Sequence, residues 1–164
     1  MFDRRFNSYE TFQISLALKT MIKAHEGQQY GDMDYFQHPI MVAQEIWLPD
    51  AVEVVAALLH DTVEDTPVTL IEIEVNFGAS VAEIVRLLSK DKTLDYRQNI
   101  QRIIDSKNVS AMRVKLADNT INLNGDKSQM SEDRRTRLID QYEMSIKMLN
   151  AALQTAAVQR NIKR

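Results

Sequence analysis

Residues 51–59, "AVEVVAALL", are the most apolar stretch of the chain, and His60, Asp61, Glu64 and Asp65 follow directly behind them. A run that apolar with helical spacing belongs at the centre of a fold, covered from several sides. Carboxylates are normally kept away from such a place, because a buried charge without a partner is costly. The stretch therefore predicts a central helix from Ala51 to about Val63, with something at its C-terminal end that tolerates negative charge.

The remaining segments are built to pack around such a helix. The few Gly and Pro residues sit at plausible joints: Gly27, Gly31, Pro39, Pro49, Pro67, Gly78 and Gly125. Between them the apolar residues recur with helical spacing. Phe12, Leu16 and Leu18 to Ile22 predict a first helix ending near His25. Ile40 to Leu48 follows Pro39, a residue suited to a first helical turn. Ser80 and Glu83 have the spacing of a capping box, opening a helix through Leu88. Val109 to about Ile121 carries Met112, Leu116 and Ala117. Leu138, Ile139, Tyr142, Ile146, Leu149 and Leu153 predict one long amphipathic helix. "TLIEIEVNF" alternates with a period of two, as a strand does, but a lone strand would have no partner, so it is read as a short helix. The expectation is an all-α fold in a single domain, 1–164. His25 is expected at the surface, at a helix end, and Trp47 in the core.

Bulk properties narrow the partners. With 45% hydrophobic and 26% charged residues the chain reads as a soluble globular domain rather than a disordered one. A formal net charge of −3 argues against gripping DNA or RNA through phosphates. The absence of cysteine excludes disulfides and thiolate metal sites. The start, "MFDRRFNSYE", lacks the apolar segment of a signal peptide, and no run approaches the ~18 apolar residues of a membrane span. Cytoplasm is the expected location. The final helix, from Glu132, could cover its apolar face on its own domain or on a second copy, which leaves a homo-oligomer open.

The charge behind the apolar run now has a candidate explanation. On a continuous helix His60 and Glu64 are one turn apart, as are Asp61 and Asp65. Neutral imidazole with anionic oxygen is a donor mixture suited to Mn, Fe, Co or Zn more than to Ca or Mg. Two ligands do not close a site. His38, at the head of the preceding helix, and Asp118, inside a helix expected to be buried, are the candidates for the rest. Each also has a plainer reading: Asp65 as a turn or cap residue, His38 as a loop residue, Asp118 as the partner of Lys115 or Arg113.

Taken together, "AHEGQ…YFQHPIMVA", "AALLHDTVEDT", "FGASVAEIV", "KDKTL" and "VKLADNTINL" resemble the hydrolase domain of RelA/SpoT-type alarmone enzymes. The likeness is strongest to their small stand-alone relatives within the HD superfamily, and it runs from about His25 to Leu123. It implies an HD-domain helical bundle and a metal, typically Mn²⁺ or another divalent transition ion, held by His38, His60, Asp61 and Asp118. It implies that Glu64 and Asp65 position or activate the attacking water, and that Asn122 lies beside a nucleotide. The reaction implied is removal of pyrophosphate from the 3′ position of guanosine tetra- or pentaphosphate, a small-molecule substrate. Some relatives also take the 2′-phosphate from NADPH.

The substrate side departs from the family. Where relatives carry a basic pair against the base, this chain has Gln29 and Tyr30. Asn119 replaces an Arg or Lys, and Leu138 stands four before Tyr142, with Arg137 one step off. Lys90 and Lys92 remain as phosphate-facing candidates, and Tyr30 could stack on a base or simply pack in its loop. These changes keep two alternatives in play: hydrolysis of another nucleotide, such as a deoxynucleotide or NADPH, and a nucleotide-binding regulator without turnover.

Overall fold

The computed structural model describes residues 6–162; residues 1–5, the beginning of the segment read above for a leader, lie outside them. The backbone divides into two compact units, one ending at Ser89 and the other beginning at Lys90.

The first unit holds α1 (Ser8–Ala24), a ribbon of β1 (Gln29–Tyr30) and β2 (Met33–Asp34), α2 (Gln37–Glu45), α3 (Ala51–Leu59), α4 (Thr62–Asp65), α5 (Leu70–Phe77) and α6 (Ala79–Leu88). The apolar run forms α3, and α1, α2 and α6 all pack on it, which is why hardly any polar position is left along it. Leu59, Ala56 and Val55 meet a core shared with Met21, Val42 and Val85. Asp50 starts α3 by accepting a hydrogen bond from the Glu53 N–H at 2.8 Å, with the Glu53 side chain reaching back to the Asp50 N–H.

The second unit holds α7 (Tyr96–Asp105), α8 (Val109–Asn124) and α9 (Glu132–Ile162). The long final helix covers its apolar face on its own chain, lying along α8 and against α7, with Leu149 fully buried. Lys127 closes the C-terminal end of α8, its ammonium donating to the carbonyls of Asn122, Leu123 and Gly125 at 2.6–2.8 Å. Among the described residues the one sheet is the antiparallel β1–β2 ribbon, so the fold is all-α. Its two-residue turn needs a positive φ at the first central position, and Gly31 supplies it at 60°.

Several boundaries differ from the sequence reading. The central helix stops at Leu59 rather than near Val63, and the chain turns through His60 and Asp61 before the single turn of α4. Thr62 stabilises that turn, its hydroxyl donating to the Leu59 carbonyl at 2.7 Å. Helix α2 ends at Glu45, ahead of Pro49, whose ring disfavours helical geometry in Leu48 (φ 47°). Trp47 consequently leaves the apolar face that Ile46 still shares, and it is 82% exposed instead of buried. His25 errs the other way: it caps α1 but is only 3% exposed, because the ring of Tyr35 lies on it. "TLIEIEVNF" is helical, opened by a capping box of Thr69 and Glu72. Helix α7, which was not anticipated, is announced by a box of the same kind, Asp95 with Gln98.

The Ser80–Glu83 box does not form. Helix α6 begins at Ala79 with Gly78 as its N-cap and no side-chain cap, while Glu83 makes a bidentate pair with Arg86 at 2.7 and 2.8 Å. Gly78 ends α5 and starts α6 at φ 87°, ψ 164°, a region close to glycine-only. A Cβ there would meet no heavy atom within 4 Å, so Gly78→Ala carries a purely conformational cost. A loss of about 1–3 kcal/mol is expected, read as a lower urea midpoint with an unchanged slope.

Candidate metal centre

In the first unit, the turn between α3 and α4 and the head of α2 bring three donors together. His60 sits at the C-terminal end of α3, 2% exposed, with its Nδ1 2.8 Å from the Ala57 carbonyl. A carbonyl can only accept, so Nδ1 carries a proton and Nε2 is the nitrogen left to ligate an ion. That Nε2 faces Asp61 Oδ2 at 2.9 Å, and His38 Nε2 lies 3.8 Å from the same oxygen. His38 is likewise 2% exposed, its ring 5.3 Å from that of His60. A nitrogen lone pair and a carboxylate oxygen this close repel unless a proton or a cation lies between them. Two imidazoles and a carboxylate converging in this way form a His-His-Asp cluster that could hold a divalent metal. The donor set fits borderline transition ions better than Mg²⁺ or Ca²⁺.

The surroundings of the cluster are aromatic and hydrogen-bonded. Tyr30 stacks on His38 with ring centroids 4.5 Å apart at 22°, so one face of Tyr30 is already occupied. The Tyr35 hydroxyl donates to Asp61 Oδ2 at 2.6 Å, a contact that the sequence reading missed. Glu64, half-buried, and Asp65, exposed, lie on α4 just beyond the ligand pair. The backbone bond from the Asp65 N–H to the Asp61 carbonyl, 2.9 Å, keeps the helical spacing of Asp61 and Asp65 despite the bend before α4. Gln29 is exposed on the ribbon.

The second unit carries the other candidates. Asp118 is 4% exposed on α8, accepting from Lys115 Nζ at 2.8 Å and from Asn122 Nδ2 at 2.6 Å. Its anticipated pairing with Lys115 is therefore present, and Asn122 orients the carboxylate. Asn119, fully buried, donates to the Ser145 hydroxyl on α9. It holds two helices together at a position with no room for an exposed cation. Tyr142, half-buried on α9, meets Tyr96 edge-on at 6.3 Å. Burial pushes both phenols up, and Asp118 adds to the effect on each, while Lys115 opposes it; Lys90 and Arg134 also act on Tyr142. Both hydroxyls stay neutral donors at any ordinary working pH. Arg137 is exposed on α9, and Lys90 and Lys92 are exposed on the loop before α7. That loop is pinned by Asn99, whose Nδ2 donates to the carbonyls of Asp91 and Asp95 at 3.0 Å each and whose Oδ1 accepts from the Asp91 N–H at 2.8 Å.

Helical units with an adjacent His–Asp pair at the end of a buried helix define a hydrolase of the HD type. The sequence matches the HD domain family over residues 17–158, and the chain belongs to that family. It is similar to the guanosine-3′,5′-bis(diphosphate) 3′-pyrophosphohydrolase MESH1 of Mus musculus, 40% identical over 125 residues that cover 70% of this chain and 69% of that one. It is 37% identical over 128 residues to the bifunctional (p)ppGpp synthase/hydrolase SpoT of Escherichia coli, covering 70% of this chain but 18% of that protein. Among solved structures it resembles one described as a metazoan ortholog of SpoT that hydrolyses ppGpp. That match has a TM-score of 0.69 and 25% identity, over 90% of this chain and 95% of the other. Among the described residues no helix is long and apolar enough to cross a membrane.

Proposed function

We propose that this chain is a manganese-dependent phosphohydrolase that removes pyrophosphate from the 3′ position of guanosine tetra- or pentaphosphate. The observation that carries the reading is the convergence of His38 Nε2, His60 Nε2 and Asp61 Oδ2, with His60 held in the tautomer a ligand needs. Asp118 is the fourth ligand in this proposal. The match across residues 17–158 supports treating both units as one HD-type hydrolase domain, 1–164. The relatives named for this reaction support the substrate.

The chemistry follows from the residues. A divalent ion here would acidify a bound water and neutralise charge on phosphoryl oxygens. With the ion bound, Glu64 would be the group to accept a proton from that water and Asp65 the group to orient it. Lys90, Lys92 and Arg137 are assigned to the phosphates. Asn122 and Tyr142 are assigned to the nucleotide beside Asp118, with Tyr142 donating through its neutral hydroxyl, and Tyr30 is assigned to the base.

A second reading, hydrolysis of another nucleotide such as NADPH or a deoxynucleotide, is favoured by the non-basic Gln29 and by the stacking of Tyr30 on His38. Asn119 no longer speaks for it, since that residue is committed to Ser145. The test is a nucleotide panel with Mn²⁺, scored for phosphate and pyrophosphate. Pyrophosphate released from guanosine tetraphosphate is the expected outcome. Turnover confined to other nucleotides establishes the second reading, and tight binding without any product makes the chain a regulator.

A further inference from the structure

We infer that Tyr35 is a positioning residue for Asp61, held in place by a clamp of His25 and Gln28; this rests on the metal reading above. Asp61 occupies the bend between α3 and α4, where it makes no capping hydrogen bond of its own to the following helix. The Tyr35 hydroxyl bonds Asp61 Oδ2, the oxygen that faces the two imidazoles, at 2.6 Å. Nothing in the sequence links the two residues, which stand 26 positions apart.

The clamp explains the buried His25 and the half-buried Gln28, which the hydrolytic chemistry does not use. The Gln28 Nε2 donates to the Asp65 carbonyl at 3.0 Å, and since a carbonyl only accepts, this fixes the orientation of the amide. Its Oε1 then accepts from His25 Nδ1 at 2.8 Å. The His25 ring, oriented by that bond, stacks on Tyr35 with centroids 4.4 Å apart at 22°. Gln28 also accepts the Tyr35 N–H on its own carbonyl at 3.0 Å. One residue thus ties the end of α4 to both the ring and the backbone of Tyr35, so the hydroxyl approaches Asp61 from a fixed direction. A carboxylate held in its ligating rotamer loses less freedom when a cation arrives, and losing such a supporting bond typically weakens metal affinity about 10–100-fold.

The test is Mn²⁺ affinity by competition with a fluorescent chelator, alongside the thermal midpoint of the metal-free protein. Tyr35→Phe keeps the ring on His25 and removes only the hydroxyl, so affinity is expected to fall at least ~10-fold with an unchanged metal-free midpoint. Gln28→Met, which opens the clamp, is expected to weaken Mn²⁺ in the same direction. Tyr35→Phe with affinity within about twofold of wild type overturns the inference while leaving the metal reading intact. A matching fall in the metal-free midpoint also overturns it, because the role is then structural. Wild type that takes up no Mn²⁺ removes the metal reading itself.

Discussion

Asp61→Ala is expected to abolish hydrolysis and strip the metal from the purified protein together. The side chain supplies an anionic oxygen that both His38 and His60 approach, at 3.8 and 2.9 Å. Without it the proposed set falls to two neutral imidazoles and the Asp118 carboxylate, too few donors for a hard-to-borderline divalent ion, so affinity should drop by more than the ~100-fold that a supporting residue is worth. The fold should survive, because Asp61 is partly exposed and stands at the bend between α3 and α4 rather than in the apolar core. Asp118→Ala is expected to give the same loss of metal and rate with a different stability signature. It leaves Lys115 and Asn122 without their acceptor in a buried place, a cost of about 1–3 kcal/mol. Elemental analysis of the purified variants, read beside a urea melt, separates the two effects. Normal metal content in Asp61→Ala would remove that residue from the ligand set.

Glu64→Gln should behave differently, retaining the metal while losing rate. Glu64 stands on α4, three residues beyond the last ligand of the turn, and the change keeps its shape while removing its ability to accept a proton. General-base catalysis contributes about 10²–10⁴-fold, so kcat should fall by that factor, equivalent to about 2.7–5.5 kcal/mol of barrier. Single-turnover kinetics on metal-loaded protein reads this directly. Loss of metal in this variant would make Glu64 a ligand, and an unchanged rate would take it away from the water.

What was legible in the sequence was of short range. Helical spacing placed α3 at the centre, and the "HDTVEDT" and "VKLAD" stretches pointed to the residues of both units that now carry the candidate chemistry. The choice of helix for "TLIEIEVNF" also held, because Thr69 and Glu72 cap it locally. Helix α7 is announced just as locally, by the capping box of Asp95 and Gln98. The Ser80–Glu83 box failed because two local patterns competed there: Gly78, in a conformation few other residues adopt, took the cap two residues earlier.

Other features were not readable at that range. Trp47 and His25 exchanged their expected places because burial depends on which element arrives to cover a side chain. His25 is covered by Tyr35, ten residues downstream and across the ribbon, whereas α2 ends before Trp47. By itself the sequence determined most of the helical segments and named the donor types that the proposed centre would use, since propensity, capping and ligand chemistry act within a few residues. Only the tertiary structure decided the bend that turns Asp61 toward His38 and His60, the hydroxyl of Tyr35 that meets it, and the burial of Asn119 against Ser145. Those are contacts between distant segments, and their energies exist only once packing has brought the segments together.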